Sequence, residues 1–329
     1  MAELNAQQRA QLFAMSTRQN LQMLAKQTAT TLPNTLQFTL PKARLLAGLY
    51  VKVKATFDSK PDGLELEKLP YLIRRISLDL NNGFAPFVVS GAEAHMYNLI
   101  DLNAKNMRDS WGVKGTDKVY DINFFLPCTT NPRDPIGLIL LQNDQTNVTL
   151  NIDMGMGSEC GLAVDPTKVE VKVMAETFSV PAHANAYPDL SVLKLVNGRK
   201  DSLPTNGQQI IKLATGTIYR KLIFRLTDAD GVPMEVEDIT SNIELVFNQA
   251  DINYSIDAEM LRMLNEKQLG TELPKGVFVF DFSNSGGLPN LGGTRDFIDS
   301  ANLTEFWLRF TTTKVGKCEI VTETLARLS

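Results

Sequence analysis

The sequence predicts an all-β chain made of two tandem sandwiches of roughly eight strands each, with short helices inserted and one helix at the N terminus. Three observations lead there. Residues 76–98 (ISLDLNNGFAPFVVSGAEAHMYN) return without a gap as 243–265 (IELVFNQADINYSIDAEMLRMLN). Most of the remaining apolar runs alternate with polar residues at the period of two that a half-buried strand requires. Between the two halves, VPAHANAYPDL (180–190) combines two prolines with small residues, the composition of a domain boundary. The expected division is a helical arm at 1–32, a first sandwich at 33–182 and a second at 183–329.

Residues 4–30 are rich in Gln, Ala, Leu and Met and contain no Gly or Pro, so propensity predicts a helix. Leu12, Phe13, Leu21 and Leu24 give it only a thin apolar stripe, which suits an arm packed on a partner or lying near a charged surface, or else a partly frayed N-terminal tail. From Thr35 the character changes to strands. In 49–57, Val51, Val53, Ala55 and Phe57 share one face and Lys52, Lys54 and Thr56 the other; 221–227 echoes it with Leu222, Phe224 and Leu226. Within the repeat, Ile76 matches Ile243, Leu78 matches Leu245, Asn81 matches Asn248 and Asn98 matches Asn265. Each copy reads as strand, Asn-rich turn, strand and helix. Ser90 with Glu93 has the form of a capping box, and Asp257 is the natural N-cap for a helix over 258–269. Further strands are expected at 119–126, 136–141, 148–154 and 169–178, then at 276–282, 303–312 and 318–325. One helix thus follows the fourth strand of each half, and 102–117, 128–135 and 283–297 read as loops. Eight strands per half in Greek-key order would be a jelly roll.

Composition bounds the function. The net charge of −4 gives no nucleic-acid signature, and the aromatics fall at strand-core positions and form no stacking platform. The charge is uneven, however. Residues 1–57 hold Arg9, Arg18, Lys26, Lys42, Arg44, Lys52 and Lys54 against Glu3 alone, so the basic end is expected to face something anionic. Cys128, Cys160 and Cys318 are odd in number and widely spaced, which indicates neither a disulfide framework nor a zinc site. Cys318 sits at an apolar strand position. No apolar run approaches the roughly 20 residues that span a bilayer, and no signal peptide is evident, so synthesis in a reducing cytoplasm is expected.

Catalytic chemistry is scarce. His95 falls in a helix and His183 in the interdomain segment, too isolated for a metal cluster. Gly287–Thr294 imitates a phosphate-binding loop but has Gly293 where the lysine belongs. Asp228-Ala-Asp230-Gly231 resembles the start of a calcium loop, yet a β-turn explains it equally well. No catalytic residue, cofactor or metal is assigned. An alternative is a two-domain jelly-roll protein that binds or hydrolyses carbohydrate, but Trp111 and Trp307 supply little for sugar stacking.

A basic Gln/Ala-rich start (Gln7-Gln8-Arg9-Ala10), two tandem strand-rich halves each with an inserted helix, and Pro274-Lys275-Gly276-Val277 opening a late strand together resemble the double jelly-roll major capsid proteins of tectivirus-type phages. These are tailless icosahedral viruses with an internal membrane. The resemblance implies a non-enzymatic virion protein, made in the host cytoplasm, forming homotrimers whose six jelly rolls give a pseudo-hexagonal capsomer. It implies as partners neighbouring capsomers, minor capsid and vertex proteins, and lipid headgroups of the inner membrane. Arg9, Arg18 and Lys26 would be the membrane-proximal residues of the arm.

Overall fold

The computed structural model describes residues 6–81, 83–101, 113–130, 136–142, 147–248, 251–270, 272–283 and 297–327. Two compact units part between Leu195 and Val196.

The first unit begins with helix α1 (Ala6–Ser16) and continues through β1 (Gln19–Met23), β2 (Gln27–Ala29), β3 (Asn34–Thr39), β4 (Leu45–Thr56), β5 (Ile73–Leu80) and β6 (Phe84–Val89). Helix α2 (Gly91–Asp101) is followed by β7 (Val113–Thr116), β8 (Val119–Pro127), β9 (Ile139–Leu140), β10 (Val148–Met154) and β11 (Lys168–Phe178). β1 and β2 both pair antiparallel with β11 and act as one interrupted first strand. One sheet then runs β1-β11-β4-β8 and the other β3-β10-β5-β6. With β1 and β2 counted as one strand and the short β7 and β9 left out of the count, these are strands 1-8-3-6 and 2-7-4-5.

The second unit repeats that order. Its strands are β12 (Val192–Leu203), which opens just before the boundary, β13 (Gly207–Lys212), β14 (Ile218–Asp228), β15 (Ile243–Phe247) and β16 (Asp251–Ile256). Helix α3 (Ala258–Leu269) precedes β17 (Val277–Asp281), β18 (Ile298–Asp299), β19 (Phe306–Thr312) and β20 (Gly316–Arg327). The sheets run β12-β20-β14-β17 and β13-β19-β15-β16, again 1-8-3-6 and 2-7-4-5 with the short β18 left out of the count. Each unit is therefore a jelly roll, and the chain has the double jelly-roll fold.

Packing follows the sequence pattern. In β4, Leu49, Val51, Val53 and Ala55 are buried while Lys52 is exposed. The core of the second unit gathers Leu222, Phe224 and Leu226 of β14 with Leu245, Phe310 and Ile320. Phe224 stacks there on Phe278 at 5.5 Å and on Phe310 at 6.3 Å between ring centroids, contacts worth about 0.5–1.5 kcal/mol each beyond area burial.

The internal repeat is reproduced in hydrogen bonds. Asn81 and Asn248 both take left-handed backbone conformations, with φ of 50° and 48°, which Asn tolerates better than other side-chain-bearing residues. The Asn81 amide donates to the Asn147 carbonyl at 3.0 Å, and its Oδ1 accepts from the Asn147 N–H at 2.8 Å. In the second unit the Asn248 amide donates to the Glu305 carbonyl at 3.0 Å, and its Oδ1 accepts from the Thr304 N–H at 2.9 Å. Ser90 and Glu93 close the expected capping box, at 2.6 and 3.3 Å. Asp257 caps α3 by accepting from Glu259 N and Met260 N, and Gly270, at φ 66°, ends it.

Asn98 and Asn265 form the tie that fixes each helix. Asn98 Nδ2 donates to the Phe125 carbonyl at 2.7 Å and its Oδ1 accepts from the Phe125 N–H at 2.6 Å. Asn265 makes the same pair with Val279, at 2.7 and 3.0 Å. Both side chains are buried.

Three expectations need correction. The helix predicted over 4–30 ends at Ser16, because residues 19–29 form β1 and β2 against β11. Thr17 Oγ1 donates back to the Phe13 carbonyl at 2.7 Å and Ser16 Oγ to the Leu12 carbonyl at 2.7 Å, a local competition that suits a helix end. Ladder pairing on β11 then outweighs a propensity worth only tenths of a kcal/mol per residue. Each inserted helix follows the fifth strand of its unit, not the fourth, because β1–β2 add a strand to the first unit and β12 and β13, absent from the expected strands, open the second. The loop expected at 102–117 carries β7, which pairs with β8.

Replacing Asn98 or Asn265 with Ala leaves two buried backbone groups without partners, and we expect each change to cost about 1–3 kcal/mol. Urea unfolding monitored by tryptophan fluorescence measures this. A loss below about 0.5 kcal/mol at both positions would show that the ties are incidental.

Candidate assembly site

The basic N-terminal segment is the part of the chain for which the sequence proposes a contact with something outside. It is held in place by Phe13, the buried residue of α1, which packs with Leu45, Ala47 and Leu138 and meets the Phe178 ring edge-on at 5.5 Å. Of the rest of the expected apolar stripe, Leu12 and Leu21 are exposed and Leu24 is half-buried; Met15 and Met23 are exposed as well.

Among the described residues, the three proposed membrane-proximal residues have different neighbours. Lys26 Nζ lies 2.8 Å from Glu170 Oε1, the same oxygen that Lys168 approaches at 2.8 Å. Hydrogen bonds from Lys168 and then Lys26 hold the Glu170 carboxyl down at about 2 from its ordinary 4.5. Arg9, on α1, contributes its charge to lowering Asp189 from the ordinary carboxylate range, behind the larger effect of the Ser191 hydroxyl and amide. Arg18 is exposed at the junction of α1 and β1, where its backbone N–H donates to Ser179 Oγ at 2.9 Å.

Other candidate chemistry resolves into structure. Asp228 Oδ1 accepts from the Asp230 and Val232 amides at 3.0 and 2.9 Å and so closes a turn around Gly231. Burial pushes the thiols of Cys128 and Cys160 up to about 12 and that of Cys318 upward as well, so all three are protonated at neutral pH. His183 is exposed, His95 is half-buried in α2, and Trp307 is half-buried on β19. Gly287–Thr294 and Trp111 lie outside the described residues. Among the described residues, no group of three or more His, Cys, Asp or Glu side chains is placed to hold a metal ion.

A hollow of about 370 Å³ on the first unit is lined by Gln37, Arg75, Asp79, Asn147, Thr149 and Asn151, with Gly83 and Ala85. Its lining contains no aromatic ring for a sugar to stack on, and Asp79 is already engaged by Ser77 Oγ and Asn151 Nδ2. A buried ion cluster in the second unit went unmarked in the sequence pattern. There Glu323 is fully buried between Arg220 Nε at 2.8 Å and Lys221 Nζ at 3.3 Å. Such a carboxylate is tolerated only because it is paired. The signal lay in Arg-Lys and Glu at positions that strand alternation alone assigns to either face.

Neither a protein-family profile nor any curated protein matches the chain. Solved structures do. The major capsid protein of Sulfolobus turreted icosahedral virus is similar with a TM-score of 0.69 and 13% identity, over 94% of this chain and 97% of that one. The major capsid protein P2 of bacteriophage PM2 gives 0.62 and 12%, over 95% and 98%. PBCV-1 VP54 gives 0.69 and 10%, over 95% of each chain. At these identities the likeness establishes the fold, and it covers both units.

The Lys168–Glu170–Lys26 arrangement makes the first strand sensitive to acid. Because the folded pKa of Glu170 lies below its unfolded value, the stabilisation is complete above about 4.5 and is lost as pH falls toward about 2. Amide exchange at Thr28 and Ala29 should therefore rise between pH 4.5 and 2, after correction for the intrinsic rate, and Glu170→Gln should remove that rise. A pH-independent corrected rate in the parent protein would contradict the assignment.

Proposed function

We propose that the chain is the major building block of an icosahedral virus shell, a virion protein with no catalytic role. The observation that carries this reading is the identical strand order of the two units. Two similar jelly rolls in one chain let three chains present six nearly equal lobes, so a threefold trimer can occupy a sixfold lattice position. The similarity of both units together to viral capsid proteins supports the same reading.

The finer proposal is a pseudo-hexagonal homotrimer assembled over an internal lipid membrane, with neighbouring capsomers, minor capsid proteins and vertex proteins as further partners. Arg9, Arg18 and Lys26 are exposed and on the basic end of the chain, which supports contact with anionic headgroups. Each such cation contributes about 1 kcal/mol near an acidic membrane surface. Lys26 already has Glu170, so Arg9 and Arg18 are the residues on which the lipid contact chiefly rests.

Light scattering after size exclusion, with negative-stain microscopy, should give trimers of hexagonal outline; a monomer that binds glycan would favour the carbohydrate reading instead. Removing residues 1–30 would delete β1 and β2 and disturb the fold, so charge reversal is the cleaner probe of lipid contact. Arg9→Glu with Arg18→Glu should leave trimers intact and weaken flotation with phosphatidylserine vesicles at least about tenfold. Undiminished flotation would refute the lipid role.

A further inference from the structure

The two inserted helices are equivalent in the repeat yet differ on one face. The ungapped alignment equates Leu261 with Ala94 and Asn265 with Asn98, and all four are buried against their own unit. It also equates Met260 with Glu93, Met263 with Met96 and Leu264 with Tyr97. On α2 these positions are 3%, 6% and 1% exposed; on α3 they are 53%, 56% and 38% exposed. The first helix is covered on its outer face, and the second presents two methionines and a leucine to solvent. Monomeric proteins rarely leave such a cluster uncovered without a use for it.

What covers α2 indicates what would cover α3. Lys194, at the leading end of β12, places its Nζ 3.2 Å from the Tyr97 hydroxyl and 5.7 Å from the centre of its ring. β12 is the first strand of the following jelly roll. The corresponding first strand in the other jelly roll is β1, which pairs with the eighth strand β11 as β12 pairs with β20. The leading end of β1, with α1 before it, displays Leu12, Met15, Leu21 and Met23. One helix face is thus covered by the segment that leads into the next first strand, while the α3 face and the segment leading into β1 are both left exposed and apolar.

We propose that the Met260/Met263/Leu264 face of α3 is the docking surface for the leading segment of a second copy of this chain, centred on Leu12 and Met15. This rests on the self-assembly reading and names the surfaces that accomplish it. The contact is head-to-tail, so the same join repeated from copy to copy closes into a ring of three when each copy is turned by a third of a circle from the last. Methionine suits both sides because its flexible thioether adapts to an imperfect partner. Beside the face, a groove of about 370 Å³ lined by Tyr254, Ile256, Leu264, Phe282 and Phe297 offers depth for an inserted side chain.

The test uses the full-length chain and a short bismaleimide crosslinker; Cys128, Cys160 and Cys318 are buried and do not compete. Light scattering on the parent protein comes first, and a monomer there would sink the self-assembly reading itself. With trimers in hand, Met15→Cys/Met263→Cys should crosslink between copies into a ladder ending at the trimer, whereas Met263→Cys alone should not crosslink. Met263→Glu should shift trimers to folded monomers with an unchanged circular dichroism spectrum, and Phe84→Glu, at an exposed site elsewhere, should leave trimers intact. Trimers that persist with Met263→Glu and form no ladder would overturn the proposal while leaving self-assembly standing. Met263→Cys alone crosslinking as efficiently as the double variant would also overturn it, because the face would then meet its own counterpart and not the leading segment.

Discussion

A buried carboxamide, used twice, fixes the architecture. Each jelly roll must interrupt its strands with a helix between the fifth and sixth, and a helix inserted there has no ladder to set its position. Asn98 and Asn265 supply one by pairing donor and acceptor with a single residue of the sixth strand, Phe125 and Val279 respectively. The tie gives both the nitrogen and the oxygen of each carboxamide a backbone partner, so it is compatible with full burial. It also sets which helix face turns inward: Ala94 and Leu261 follow into the core. The opposite face is then defined as well, and on that face the two helices diverge.

Much of this was legible because the repeat preserves polar residues at points where geometry leaves few choices. Asn81 and Asn248 align because both turns need a left-handed residue whose side chain can reach a neighbouring amide. Asp257 and the Ser90–Glu93 pair were readable because capping is a local event, complete within four residues. The N-terminal segment was not legible for the opposite reason. Gln19–Met23 and Gln27–Ala29 have nothing in their own composition that demands a strand; they become strands because β11, some 150 residues away, offers them a ladder. Local propensity carries no information about that distant edge.

Buried charges escaped the sequence in the same way. Glu323 on β20 meets Arg220 and Lys221 on β14 only once the eighth and third strands are adjacent. The basic segment shows a related effect: its excess of cations was plain, but Glu170 and Asp189, which temper Lys26 and Arg9, are contributed from far along the chain. Function is legible here chiefly through architecture. Two units with one strand order and an exposed apolar face on α3 are the features on which the proposed self-assembly rests.

Cryo-electron microscopy of the purified particle tests that account most directly. The account requires three chains around a threefold axis with six jelly-roll densities in a ring, each carrying a helix between its fifth and sixth strands that is tied by asparagine to the sixth. A map in which the two units differ in strand order, or in which the chains contribute only one jelly roll each to the ring, would contradict it.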